Sequence, residues 1–132
     1  MLGKTPKDEA KVNEILGVLD DIRTNVSKLF FDKEYQTKLK ETWEKVLPKL
    51  QYFEKFVGDK EWTLGYLTLV DFQISELAPY FEKLYPEEYK TFPSVERIKN
   101  GVNNLEKVKE YYQRENAIKG PFLPPAYASV QL

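Results

Sequence analysis

The sequence predicts an all-α fold, and three observations carry the prediction. Apolar residues recur at helical spacing over most of the chain, and helix-start and helix-stop residues punctuate those runs. Nowhere does the alternating, period-two pattern of a half-buried strand occur. With 132 residues the chain suits one domain spanning 1–132, enough to bury roughly two-thirds of its unfolded surface. The expected architecture is a bundle of about five helices. The first two form a long antiparallel hairpin, and an irregular, proline-containing C-terminal tail closes the chain.

Thr5-Pro6-Lys7-Asp8 is a strong helix start. Threonine caps, proline takes the first helical position where its missing N–H costs nothing, and an acid sits at the third. Val12, Ile15, Leu16, Leu19, Ile22, Val26, Leu29 and Phe30 then mark one face of a helix of about 25 residues, near 38 Å long. Its opposite face mixes Lys, Glu, Asp, Asn and Arg, which suits a helix laid on a core better than the basic face of a membrane-surface helix. Asp32 is placed to cap a second helix running to about Phe56. Tyr35, Leu39, Trp43, Val46, Leu50, Phe53 and Val57 form its apolar stripe, and Gly58 suits a left-handed stop. Pro48 inside it should remove one backbone hydrogen bond and bend it. Almost nothing joins the two helices, so they should pack antiparallel.

A loop from Gly58 to Tyr66, carrying Trp62 and Gly65, leads to the central helix. Thr68 three residues before Asp71 reads as a capping box, with Asp in place of the usual Glu or Gln. The threonine oxygen would accept from the Asp71 N–H, and the Asp71 carboxylate from the Thr68 N–H. Leu67 and Phe72 flank the box as a hydrophobic staple. Leu69, Val70, Ile74, Leu77, Ala78 and Phe81 make the helix apolar on nearly all sides, the pattern of a buried helix, and Pro79 is a site for a kink. Tyr85-Pro86-Glu87-Glu88-Tyr89 reads as one helical turn. Phe92-Pro93 opens a fourth helix with Val95, Ile98 and Val102. A short fifth runs from about Asn104, with Leu105, Val108 and Tyr111 expected to face inward. From Glu115 onward, Pro121, Pro124 and Pro125 exclude helix.

Composition removes several kinds of chemistry. There is no cysteine, so no disulfide framework, thiolate nucleophile or Cys-based zinc site can form. There is no histidine, which removes the commonest general base and metal ligand. No metal site is expected. Twenty basic residues against twenty-one acidic ones give none of the basic excess of a nucleic-acid binder. No apolar run approaches the ~20 residues of a membrane span. Met1-Leu2-Gly3-Lys4 carries neither the apolar core of a signal peptide nor the bias of a transit peptide, so a cytoplasmic location is expected. Asn25-Val26-Ser27 matches a glycosylation sequon but falls inside a helical pattern, and is read as chance.

Taken in order, the helix hairpin, Trp62-Thr63-Leu64-Gly65, Leu67-Thr68-Leu69-Val70-Asp71-Phe72, Phe92-Pro93-Ser94-Val95 and Phe122-Leu123-Pro124-Pro125 resemble the C-terminal helical domain of the glutathione S-transferases, closest to the mu class. Leu105-Glu106-Lys107 resembles the last helix of mu-class sequences. A capping box alone is common; the ordered set over nearly the whole chain is specific. The resemblance implies a thioredoxin-like domain of about eighty residues before this one, holding glutathione and supplying the activating tyrosine hydroxyl. No such domain is read in these residues. Glu115-Asn116-Ala117-Ile118 faintly resembles the γ-glutamyl-binding loop, but it follows a helix where the family has a strand and a cis-proline, and is read as coincidence.

The resemblance also assigns roles on the first helix. Counted without gaps from the Gly-x-Thr start, Asp21 takes the place of the mu-class aspartate that reaches the γ-glutamyl amine of glutathione in the neighbouring subunit. The plain alternative is a solvated helix carboxylate. Phe31 takes the place of the second-substrate tyrosine, keeping an apolar wall but no hydroxyl. Asp20 and Thr24 stand where the mu class places substrate-contacting side chains, often methionine, and their polarity argues against an apolar electrophile pocket. No residue of the chain is expected to be catalytic, and glutathione would be a co-substrate only alongside a thioredoxin-like domain.

Three functions follow from the resemblance. The first is a non-catalytic interaction or assembly subunit, inactive alone, whose partner is another protein subunit or a thioredoxin-like domain, with a homodimer as one form. The second is the C-terminal half of an active mu-like glutathione transferase, its first domain missing or supplied in trans. The third is a protein holding hydrophobic ligands between the first and central helices.

Overall fold

The computed structural model describes residues 1–114. Among the described residues the regular structure is all helix, in the order α1 (Pro6–Phe30), α2 (Tyr35–Val57), α3 (Leu69–Leu84), α4 (Pro86–Tyr89), α5 (Pro93–Asn103) and α6 (Glu106–Gln113). The tail motif Phe122-Leu123-Pro124-Pro125 and the segment Glu115–Ile118 lie outside the described residues.

Helix α1 begins as its sequence requires. The Thr5 hydroxyl accepts the Asp8 N–H at 3.1 Å, and Pro6 takes the first helical position. Val12, Ile15, Leu19, Ile22, Val26, Leu29 and Phe30 are its buried residues, and they pack against α2 and α3. The Tyr52 hydroxyl, near the end of α2, donates to Glu14, near the start of α1, at 2.7 Å, as an antiparallel pair demands. Helix α2 ends at Gly58, whose positive φ of 55° glycine adopts without a Cβ penalty. Pro48 is accommodated inside it without ending it.

Helix α3 packs most extensively on α5 and also on α1. Val70, Ile74, Leu77, Ala78, Phe81 and Leu84 form its buried face. Burying each of the larger ones stabilises the fold by roughly 1.5–3 kcal/mol before entropy is subtracted. Phe30 of α1 meets Tyr80 of α3 with ring centroids 4.9 Å apart. Trp43 of α2 meets Tyr85 at 4.8 Å and Phe92 at 6.0 Å, and the Tyr85 hydroxyl donates to the Leu39 carbonyl at 2.7 Å.

Helices α2 and α5 satisfy each other's ends. The Glu54 carboxylate of α2 accepts the Ser94 N–H at 3.3 Å and the Ser94 hydroxyl, placing negative charge at the positive end of α5. In return the Arg97 guanidinium of α5 donates to the carbonyls of Gly58 at 2.7 Å and Lys60 at 2.8 Å, just past the end of α2.

Three expectations change. Asp32 does not cap α2: the cap position is Glu34, and Asp32 Oδ1 instead accepts the Glu34 N–H at 2.8 Å in a turn before the helix, while Oδ2 binds Lys38. Helix α3 is not apolar all round, because Glu76, Pro79, Glu82 and Lys83 are exposed along one side. Helix α6 buries none of its residues; Leu105, Val108 and Tyr111 reach only half-burial, since α6 touches little beyond α5.

Candidate functional site

Two places hold the residues singled out by sequence: the outer face of α1, and the start of α3.

On α1 the apolar stripe turned to the core leaves the opposite side to water. At about 100° per residue, Asp20, Thr24 and Phe31 fall on one stripe within about 40° of each other, with Asp21 beside them. All four are exposed, and Phe31 is 49% exposed. The polar side chains spend their hydrogen bonds along their own helix. Asp20 pairs with Arg23 one turn on, and the Thr24 hydroxyl donates to the Asp20 carbonyl at 2.9 Å. Asn25 donates to the Asp21 carbonyl at 2.9 Å, which leaves the Asp21 carboxylate itself facing solvent. Among the described residues, no apolar wall closes over the stripe. Phe31 lies about 15 Å along the axis from Asp21, at the C-cap of α1. Gly17 belongs to the same side, and a Cβ added there would meet nothing within 4 Å.

Next to this face, between the end of α1 and the start of α2, a groove of about 190 Å³ includes Asn25, Lys28, Leu29, Asp32, Lys38 and Lys45. Four of its charged side chains pair off. The hydrogen bond from Lys38 holds the Asp32 carboxyl below its ordinary range, and the same bond raises the Lys38 ammonium. Lys45 stands 3.5 Å from Glu41.

At the start of α3 the reciprocal box is present, but its two halves are unequal. Asp71 Oδ2 accepts the Thr68 N–H at 2.8 Å and faces the Thr68 hydroxyl at 3.4 Å. The Asp71 N–H closes on the Thr68 carbonyl at 3.1 Å, so the hydroxyl half is the weaker. The other carboxylate oxygen was not foreseen in the sequence. Oδ1 accepts the Thr63 N–H at 2.9 Å and the Thr63 hydroxyl at 2.8 Å. Asp71, Thr63 and Thr68 are each 0% exposed, and all four donors converge on one carboxylate. That is a buried polar cluster with every contact used, the condition under which burial of such groups is tolerated. Leu67 and Phe72 are half-buried beside it, Phe72 packed on the core.

The structure therefore separates the two sets. The box residues meet as one structural unit; Asp20, Asp21, Thr24 and Phe31 share an exposed face and line neither the groove at the end of α1 nor that at the start of α5. Among the described residues, no group of three or more Asp and Glu side chains is placed to hold a metal ion.

Residues 20–115 match the family model described as glutathione S-transferase, C-terminal domain. The chain is 31% identical over 123 residues to a 26 kDa class-mu glutathione S-transferase, isozyme 7, of Fasciola hepatica, a match covering 92% of this chain and 56% of that protein. It is 27% identical over 122 residues to the class-mu 26 kDa isozyme of Schistosoma mansoni, covering 92% and 56%. To human glutathione S-transferase Mu 3 it is 28% identical over 123 residues, covering 92% and 54%. The chain thus spans a little over half the length of these relatives.

Proposed function

Because the chain belongs to the glutathione S-transferase family through its C-terminal helical domain, we propose that it serves as a non-catalytic docking domain whose outer α1 face meets another protein subunit. A second copy of the chain or a thioredoxin-like domain would suit that face, and a cytosolic setting suits the reading. No described helix is long and apolar enough to cross a membrane.

The observation that carries the proposal is the state of the positions where the family places its second substrate. Asp20 and Thr24 are polar, exposed and bonded within α1, so they offer an electrophile no apolar cavity. The same stripe ends in the exposed ring of Phe31 and includes Gly17, over which a partner's backbone can approach closely. Thiol activation belongs, by the family resemblance, to the thioredoxin-like domain. The helical chain alone is therefore expected to give no glutathione conjugation with a standard electrophile. Turnover by the purified 132-residue chain would overturn the non-catalytic reading.

One observation favours a second reading, the helical half of an active mu-like transferase. Among the described residues none donates a hydrogen bond to the Asp21 carboxylate, which faces solvent, as a residue reaching toward a neighbouring subunit's glutathione would. Mixing the chain with a thioredoxin-like domain and assaying conjugation separates the two. Activity lost on Asp21→Asn would support the second reading, and no activity in the mixture would count against it.

A further inference from the structure

The corner where α3 ends, α4 makes its single turn and α5 begins encloses a groove of about 480 Å³ that shares no residue with the α1 face. Pro86, Tyr89, Phe92 and Pro93 supply its apolar surface, and Glu82 and Glu96 stand on it as carboxylates. Its size falls within the range of small-molecule sites, roughly 300–1,000 Å³. Tyr89 and Phe92 are themselves buried to 8% and 5% exposure, so the aromatic surface is fixed by packing.

The groove carries two carboxylates, and Lys90 and Lys99 are held by neighbouring acids. Lys99, whose side chain is 16% exposed, sits between the two carboxylates at 3.4 Å from Glu82 and 3.1 Å from Glu96 and holds them side by side. The Tyr89 hydroxyl donates to Glu96, and Asn100 approaches its other oxygen at 3.5 Å. Glu82 by contrast has only the single long contact to Lys99 and stays 57% exposed, so most of its acceptor capacity is unused. The one lysine lining the groove, Lys90, is turned to Glu87, 3.3 Å from both its oxygens.

The geometry points to a binding site for a small organic cation with an apolar body, its ammonium on Glu82 and its ring or chain over Tyr89, Phe92 and Pro93. The carboxylate fixes the ammonium, while the exposed edges of Tyr89, Phe92 and Pro93 take the apolar body; the face of the Tyr89 ring already carries the Lys99 ammonium, 5.9 Å from its centroid. Lys99 keeps the carboxylates aligned without occupying the outer oxygen of Glu82. This inference is independent of the docking role of α1.

The test is a titration of the full chain, followed by amide NMR shifts, with three probes of one shape: phenethylammonium, phenethyl alcohol and phenylpropionate. Phenethylammonium is expected to saturate at millimolar concentration, with shifts centred on Glu82, Lys90 and Phe92. The alcohol should bind about tenfold more weakly and the anion not at all. Glu82→Gln, on an exposed side chain that the fold does not need, should weaken the ammonium severalfold and leave the alcohol unchanged. Equal binding of ammonium and alcohol, shifts centred elsewhere, or no saturation by about 20 mM would each overturn the proposal.

Discussion

Thr63 and Asp71 are joined twice: Asp71 Oδ1 accepts both the backbone N–H of Thr63, at 2.9 Å, and its hydroxyl, at 2.8 Å. The loop before α3 is thereby fixed to the first turn of α3 by one buried carboxylate, which at the same time accepts the Thr68 N–H.

Removing that carboxylate strands several buried donors at once. Asp71→Ala should cost about 3 kcal/mol or more, since each unsatisfied buried donor costs roughly 1–3 kcal/mol. Thr68→Ala, which removes only the weaker half of the box, should cost about 1 kcal/mol. Thr63→Val should cost about 1–2 kcal/mol, and its cycle with Asp71→Ala should show coupling of 1 kcal/mol or more. Denaturant unfolding measures all four variants; strictly additive losses would contradict the shared carboxylate.

Glu54 and Ser94 make a second test, on the α2–α5 contact. Glu54→Ala leaves the buried Ser94 without its acceptor and should cost about 2 kcal/mol. Ser94→Ala keeps the N–H bond to Glu54 and should cost less. The order of the two midpoints in urea decides it: a larger loss from Ser94→Ala would refute this assignment.

Two glycines should respond with opposite sign. At Gly101 an added Cβ would lie 2.9 Å from the Trp62 ring, so Gly101→Ala should destabilise by about 1–3 kcal/mol and alter tryptophan fluorescence. At Gly17 the Cβ meets nothing, so Gly17→Ala should stabilise the chain by about 0.5–1 kcal/mol through helix propensity. Thermal unfolding of both variants reads the signs directly.

Tyr85 sets a pH dependence. Burial, with a further push from the Glu88 charge, raises its hydroxyl from the ordinary tyrosine value to about 12. Tyr89 moves the same way, through burial and its hydrogen bond to Glu96. In the unfolded chain these hydroxyls ionise near pH 10. Their contribution is therefore complete below about pH 10 and is lost as pH rises toward about 12, because the unfolded state releases the proton first. Unfolding free energies measured across pH 9–11 should fall with a steep slope. Tyr85→Phe should lower stability at pH 8 through the lost bond to Leu39 and flatten that slope; an unchanged slope would contradict the assignment.

What the sequence revealed follows the range of the interactions. The α1 cap and the Thr68–Asp71 half of the box join residues three apart, so their spacing is visible in the string of letters. The bond from Thr63 spans eight residues and that from Ser94 to Glu54 forty, across a loop and between two helices, and no periodicity encodes either. Asp32 has the residue type of a cap, but Lys38 and the Glu34 N–H compete for its carboxylate and shift the helix start to Tyr35. On α1 the helical period was enough to turn Asp20 and Asp21 away from the core, while Thr24 and Phe31 are singled out only by the family resemblance. The period could not tell that Asp20 and Thr24 are bonded to their own helix while the Asp21 carboxylate accepts no hydrogen bond from the described residues.

Sedimentation equilibrium of the purified chain at micromolar concentration, read beside binding of a hydrophobic-surface dye, decides whether the outer face of α1 meets another protein. Self-association or clear dye binding is expected, with both reduced by Phe31→Glu and the monomer's thermal stability unchanged. A stable, dilute monomer that binds no dye, identical in both forms to the Phe31→Glu variant, would contradict it.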